Sequence, residues 1–124
     1  MVLIEERVFV IIPHSHYGDI RGNVLIIPRQ HYENLLDIPD SLGADIFNAA
    51  RTVSRAMIEA FGCEGISTRQ HNGPAGNQDV WHYHLHVFPR FTGDHLWGGD
   101  KGSYSPAERL DIAERLRTAL VRRS

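Results

Sequence analysis

In the segment Trp81-His-Tyr-His-Leu-His-Val-Phe-Pro-Arg90, histidine stands at every second position from 82 to 86. A β-strand sends successive side chains to opposite faces. Read as a strand over 80–91, the segment puts His82, His84 and His86 on one surface and Trp81, Tyr83, Leu85 and Val87 on the other. The apolar set has the bulk to face a core, so the imidazoles must meet water, a ligand or a partner. With 8 histidines in 124 residues the chain is rich in this side chain, and the alternation gathers three of them at one place.

The remaining sequence supplies neighbours for such a strand. Residues 1–12 are dense in Val, Ile and Phe and end at Pro13, which predicts β structure with a hairpin turn at Glu5-Glu6. Residues 14–23 read as a polar, glycine-containing loop, and Val24-Leu-Ile-Ile27, closed by Pro28, as a buried strand. A short helix is expected over 30–36. From 41 to 61, Ile46, Ala50, Val53, Met57 and Phe61 recur at spacings of four and three, one face of an amphipathic helix. Asp40 or Ser41 is its expected cap, and Gly62 its left-handed end. Residues 65–71 alternate as a strand, and 72–77 form a glycine-rich turn. Ser105-Pro-Ala-Glu108 then opens a last helix with a capping box, with Leu110, Ala113, Leu116 and Leu120 facing inward. The order β, β, α, β, β, α with tight turns predicts an α+β fold, one domain over 1–124, with an antiparallel sheet and helices on one side.

Composition narrows the classes of function. A chain of 124 residues, 42% hydrophobic and 23% charged, has the makeup of a soluble globular domain. A net charge of −2 and a pI near 6.4 argue against a nucleic-acid backbone as the main partner. Cys63, the single cysteine, allows neither an intramolecular disulfide nor a multi-cysteine zinc site. No apolar run approaches the roughly 20 residues of a membrane span. The N-terminus turns charged after four residues, unlike a signal sequence. A cytoplasmic location with no membrane partner is the expectation.

Three readings of the histidine face remain open on these grounds. The imidazoles could simply be solvated on an open sheet face. They could bind a metal, although a strand rise of about 3.3 Å per residue separates the Cβ atoms of His82 and His86 by roughly 13 Å, too far to share one ion without a bend. Or they could form a phosphate site, dividing nucleophile, charge stabiliser and proton donor among them. In that last case His84, flanked by the other two, is the natural nucleophile, oriented by its second ring nitrogen donating to a backbone carbonyl. Upstream, the loop His71-Asn-Gly-Pro-Ala-Gly-Asn-Gln-Asp79 has glycines that let backbone amides approach an anion, and Gln78 offers a neutral donor.

His82-Tyr-His-Leu-His-Val-Phe88 resembles the signature of the histidine triad (HIT) family of nucleotide-binding hydrolases and transferases, His-φ-His-φ-His-φ-φ with φ apolar. Gly76-Asn-Gln-Asp-Val80 is similar to that family's Gly-Gln-x-Val segment, and Leu25-Ile-Ile-Pro-Arg-Gln-His31 to its strand-Pro-Lys/Arg-x-His segment. The resemblance spans roughly residues 8–94. It implies a five-stranded antiparallel sheet per subunit and a homodimer. It further implies that His84 attacks the α-phosphorus of a nucleotide to give a nucleotidyl-histidine that water hydrolyses. His82 would hold the middle ring, partly through its carbonyl, and His86 would bind the phosphate and assist the leaving group. Gln78, His71, Asn72 and Gly76 would contact the substrate.

A histidine at position 86 favours a hydrolase over the nucleotidylyltransferase branch. Pro89-Arg90 with Gly93-Asp94 looks like the dinucleoside polyphosphate hydrolase branch, with Arg90 meeting a distal phosphate and diadenosine polyphosphates as the leading substrates. The alternatives are a nucleoside phosphoramidase, a nucleotide-binding sensor without turnover and a small metalloprotein. No cofactor is required on this reading and no metal is assigned to the triad, although Mg²⁺ can accompany a polyphosphate. Three positions depart from the family pattern: Asn23 replaces a common histidine, His71 stands where a phosphate- or loop-contacting Asn or Gln is common, and Asp79 replaces a common Ser or Thr, so Asp79 must point away or bind a proton or cation. His14, His16, His31 and His95 are read as surface or supporting residues.

Overall fold

A computed structural model describes residues 1–96 and 100–123. Its strands are β1 (Leu3–Ile4), β2 (Val8–Ile11), β3 (Ser15–Tyr17), β4 (Val24–Pro28), β5 (Gly65–Arg69), β6 (Leu85–Arg90) and β7 (Lys101–Ser103). Its helices are α1 (Asp40–Phe61) and α2 (Pro106–Arg123). Five strands form an antiparallel sheet in the order β1-β2-β4-β6-β5, and β3 pairs with β7 in a separate ribbon. The α+β fold with a five-stranded antiparallel sheet is as the sequence predicts.

The pleat divides the sheet into unlike faces. Val8, Val10, Val24, Ile26, Leu85 and Val87 are buried in one cluster with residues of both helices. On the opposite face Phe9, Ile11, Leu25 and Ile27 are only half-buried. The register sets Leu25 opposite His86, and β2 carries Ile11 opposite Leu25. The half-buried apolar strip therefore lies on the histidine side.

Helix α1 buries Leu42, Ile46, Ala49, Val53, Ala56 and Met57, so the predicted Ile46, Val53 and Met57 lie at the centre of the stripe while Ala50 and Phe61 are only partly buried at its margin. Gly62 ends it in the left-handed conformation at φ 65°, as expected. Its start differs: Pro39 is the cap, with no side-chain bond, and Asp40 sits in the first turn where a negative charge suits the helix dipole. Ser41 cannot cap because the helix already contains it, and Arg7 instead bonds Ser41 Oγ and the Asp45 carboxylate. In α2 the capping box forms as predicted, Glu108 N donating to Ser105 Oγ and Ser105 N to Glu108 Oε1. The buried residues are Ile112, Ala113, Leu116 and Ala119, however, and Leu110 is exposed.

Three further expectations are corrected. The helix over 30–36 is absent, leaving a 3₁₀ turn at Leu35–Asp37 capped by Asn34. The carbonyls of Tyr32 and Glu33 are engaged by Tyr83 N and Gln78 Nε2, so they cannot continue a helical ladder. The strand over 80–91 shortens to Leu85–Arg90. Pro28 ends β4 with no N–H to offer, and the chain bends at 80–82, which leaves Trp81 exposed instead of in the core. The loop over 14–23 contains β3, whose partner β7 has no counterpart in the sequence reading. Their pairing sets His16 across from Gly102, where a Cβ would overlap the imidazole. Among the described residues, no helix is long and apolar enough to cross a membrane.

Candidate active site

The three triad rings are fixed in different ways. His82 Nε2 donates to the carbonyl of Pro28 (2.9 Å), tying the ring to the end of β4, and His31 sets its ring edge-on at 5.1 Å. His84 Nδ1 lies 3.0 Å from the carbonyl oxygen of His82. A carbonyl only accepts, so Nδ1 carries the proton and Nε2 of the neutral ring keeps a lone pair. That orienting bond is the one a histidine nucleophile requires. His86 lies 5.0 Å from His84, stacks flat on Phe88 at 5.7 Å, and meets the edges of Tyr17 and His71.

Burial decides the charge of His86. It is 8% exposed, and desolvation, followed by the nearby charges of Arg69, His84, His71 and Lys101, lowers its pKa to about 3. The ring is neutral at physiological pH and contributes dipoles and a lone pair rather than a full positive charge. Its Nδ1 is buried without a hydrogen-bond partner among the described residues, which leaves that atom for a group bound in the site.

The upstream loop folds against the 3₁₀ turn at 35–37, and Gln78 is its tie. The buried Gln78 amide donates to Glu33 O and Val80 O and accepts from Gly73 N and Asn34 Nδ2. Asn72 accepts from Leu35 N (2.8 Å). Gln78 and Asn72 therefore build the loop, with their predicted substrate contacts directed at other chain segments in this structure. Gly76 accepts from His71 Nδ1 (2.9 Å), which orients the His71 ring as His82 O orients His84. The structure thus brings His71 to the triad as a fourth imidazole, 6.5 Å from His86.

Arg90 lies on the same face of β6 but turns onto Asp94 and Ser67, its Nη2 2.7 Å from the Asp94 carboxylate. That pairing holds the Asp94 carboxyl well below the usual carboxylate range. Asp79 is exposed. Asn23 is fully buried, accepting from the Tyr104 hydroxyl and donating to Ser15 O, so it anchors β3 to the segment before α2. Sequence reasoning missed Arg69 and Tyr17. The Arg69 guanidinium carbon lies 4.7 Å from the Tyr17 ring centre and 5.2 Å from that of Phe88, on the residue paired with His86. Only the strand register, not the local sequence, could have placed it there.

A sequence model described as the HIT domain matches residues 3–93, nearly three quarters of the chain and the whole of the triad. The chain belongs to the HIT domain family. Among its relatives, the Bacillus subtilis protein hit is 32% identical over 105 residues, 82% of this chain and 72% of that one. The Arabidopsis thaliana adenylylsulfatase HINT3 is 34% identical over 88 residues, 71% of this chain but only 42% of the relative. Among solved structures, a Zn-bound histidine triad family protein from Mycobacterium smegmatis superposes with a TM-score of 0.83 at 30% identity, covering 98% of this chain and 83% of that one. In this HIT-domain protein, no group of three or more His, Cys, Asp or Glu among the described residues is arranged to hold a metal ion.

Proposed function

We propose that this HIT-domain protein is a nucleotide hydrolase that cleaves at an α-phosphate through a nucleotidyl-histidine intermediate. The observation that carries the reading is the His84 Nδ1 to His82 O hydrogen bond, which leaves Nε2 as an oriented nucleophile. The Nε2 lone pair forms a P–N bond as the bond from phosphorus to the leaving group breaks and its electron pair departs with that group. Water then attacks the phosphorus, the P–N electron pair returns to His84, and the water's proton passes to solvent. The neutral His86 ring and the His71 ring lie beside the phosphate position to meet its nonbridging oxygens.

The half-buried strip of Phe9, Ile11, Leu25 and Ile27 supplies an apolar floor for a nucleoside next to the triad. Diadenosine polyphosphates remain the first substrates to try, with nucleoside phosphoramidates the alternative. No cofactor takes part in the proposed chemistry, and Mg²⁺ accompanies only a polyphosphate substrate. The protein acts in the cytoplasm as a homodimer, with β5 as the sheet edge open to a second copy.

Rapid quenching with diadenosine tetraphosphate, followed by mass spectrometry, should find adenylate mass on His84. His84→Ala should lower turnover by at least about 10³-fold while leaving AMP affinity within a few-fold of the parent. A fully active His84→Ala protein overturns the mechanism. Nucleotide binding with neither turnover nor adduct would make the protein a sensor.

A further inference from the structure

The triad face of the sheet is chemically lopsided about β6. On the β4 and β2 side it is apolar, with Leu25, Ile27, Ile11 and Phe9 half-buried. On the β5 side, the residue paired with His86 is Arg69. Its guanidinium is packed at cation–π distance from both Tyr17 and Phe88, which hold a long side chain in one place. The ribbon that delivers Tyr17 also carries Lys101 as the partner of Tyr17, and Lys101 is the only lysine in the chain. A substrate lying across β6 with its nucleoside on the apolar side therefore extends its other end toward Arg69.

Resting on the hydrolase reading above, we infer that Arg69 binds the leaving group and selects nucleotidyl conjugates whose leaving group is an anion, a phosphate or sulfate joined to the α-phosphate through an anhydride oxygen. When the P–O bond breaks, the electron pair stays on that oxygen and no proton has to be delivered; a fixed cation beside it is what the step needs. An amine leaving group instead needs a proton as the P–N bond of a phosphoramidate breaks. The neutral His86 ring is a poor acid for that purpose, and a guanidinium does not give up its proton. Lys101 adds positive potential at the same end without the planar fork that can grip two oxygens.

The test compares kcat/KM on two adenylate substrates, diadenosine tetraphosphate and an adenosine phosphoramidate of tryptamine, for the parent, Arg69→Gln and Arg69→Lys, with thermal melts to verify folding. Loss of a charge-assisted contact should lower anhydride cleavage by Arg69→Gln about 10- to 100-fold while phosphoramidate cleavage changes by less than about threefold. Arg69→Lys should recover part of the loss. Equal losses on both substrates would assign Arg69 to packing alone, and unchanged anhydride cleavage would remove it from the leaving-group site; either overturns the inference.

A second arm does not depend on turnover. In a His84→Ala background ATP should bind more tightly than AMP, and adding Arg69→Gln should erase that difference. If it persists, the inference falls even where the hydrolase reading stands. If the parent cleaves neither substrate and acquires no adduct, the hydrolase reading fails, while the ATP to AMP ratio still reports on Arg69.

Discussion

His86 is buried against Phe88, Tyr17, His84 and His71, with the charges of Arg69 and Lys101 close by, and its neutral form is the one the fold accepts. Its pKa falls to about 3 from the ordinary 6.5. A depressed folded-state value stabilises the protein fully above pH 6.5, and that contribution is lost as pH falls toward 3, where the folded ring must also take a proton. Urea midpoints measured from pH 7.5 to pH 4 should therefore drop more steeply for the parent than for His86→Phe, the difference reaching about 1–4 kcal/mol. Parallel slopes would show that this ring does not carry the acid sensitivity. Gln78 makes a different kind of claim. Its amide satisfies Glu33 O, Val80 O and Gly73 N at once, so Gln78→Ala should cost about 1–3 kcal/mol. Amide exchange should quicken over 33–36 and 72–80. The glycines and prolines of this loop disclose a turn to any reader of the sequence; that its glutamine faces inward depends on the Glu33 carbonyl, 45 residues earlier.

Among the elements, α1 was legible because its apolar residues repeat at helical spacing over 22 residues, and the repeat is local. The β3–β7 ribbon was not, because each strand has three residues and the partners stand 84 to 88 positions apart. Neither strand shows an alternating apolar pattern. The ribbon exists because Gly102 gives the His16 ring room and because Asn23 fastens the same region to Tyr104. Gly102→Ala should thus force the two strands apart, at a cost of about 1–3 kcal/mol, with exchange rising at 15–17 and 101–103 while β6 stays protected. Because the ribbon carries Tyr17 over Arg69, the same variant should lower anhydride cleavage. The triad itself was half legible. Alternation located all three rings, but the ladder begins only at Leu85, and it is the bend before it that lets the His82 ring reach Pro28 O while its own carbonyl receives His84.

At the scale of the whole molecule, β5 closes one side of the sheet and, among the described residues, has β6 as its only strand neighbour in that sheet. Sedimentation velocity at micromolar concentration should give a species of twice the 14.1 kDa chain mass; a monomer at all concentrations would rule out the proposed homodimer. The family match ends at residue 93, yet the core does not. Helix α2 buries Ile112, Ala113, Leu116 and Ala119 in the same cluster as the sheet residues. Arg109 donates to Ile12 O and Arg117 to Met1 O, binding the first strands across more than 90 positions of sequence. On the ribosome, the triad strand emerges well before those arginines are made. Until translation has passed Arg117 and α2 has cleared the exit tunnel, the nascent sheet carries an uncovered apolar flank, a natural target for chaperones that recognise such surfaces.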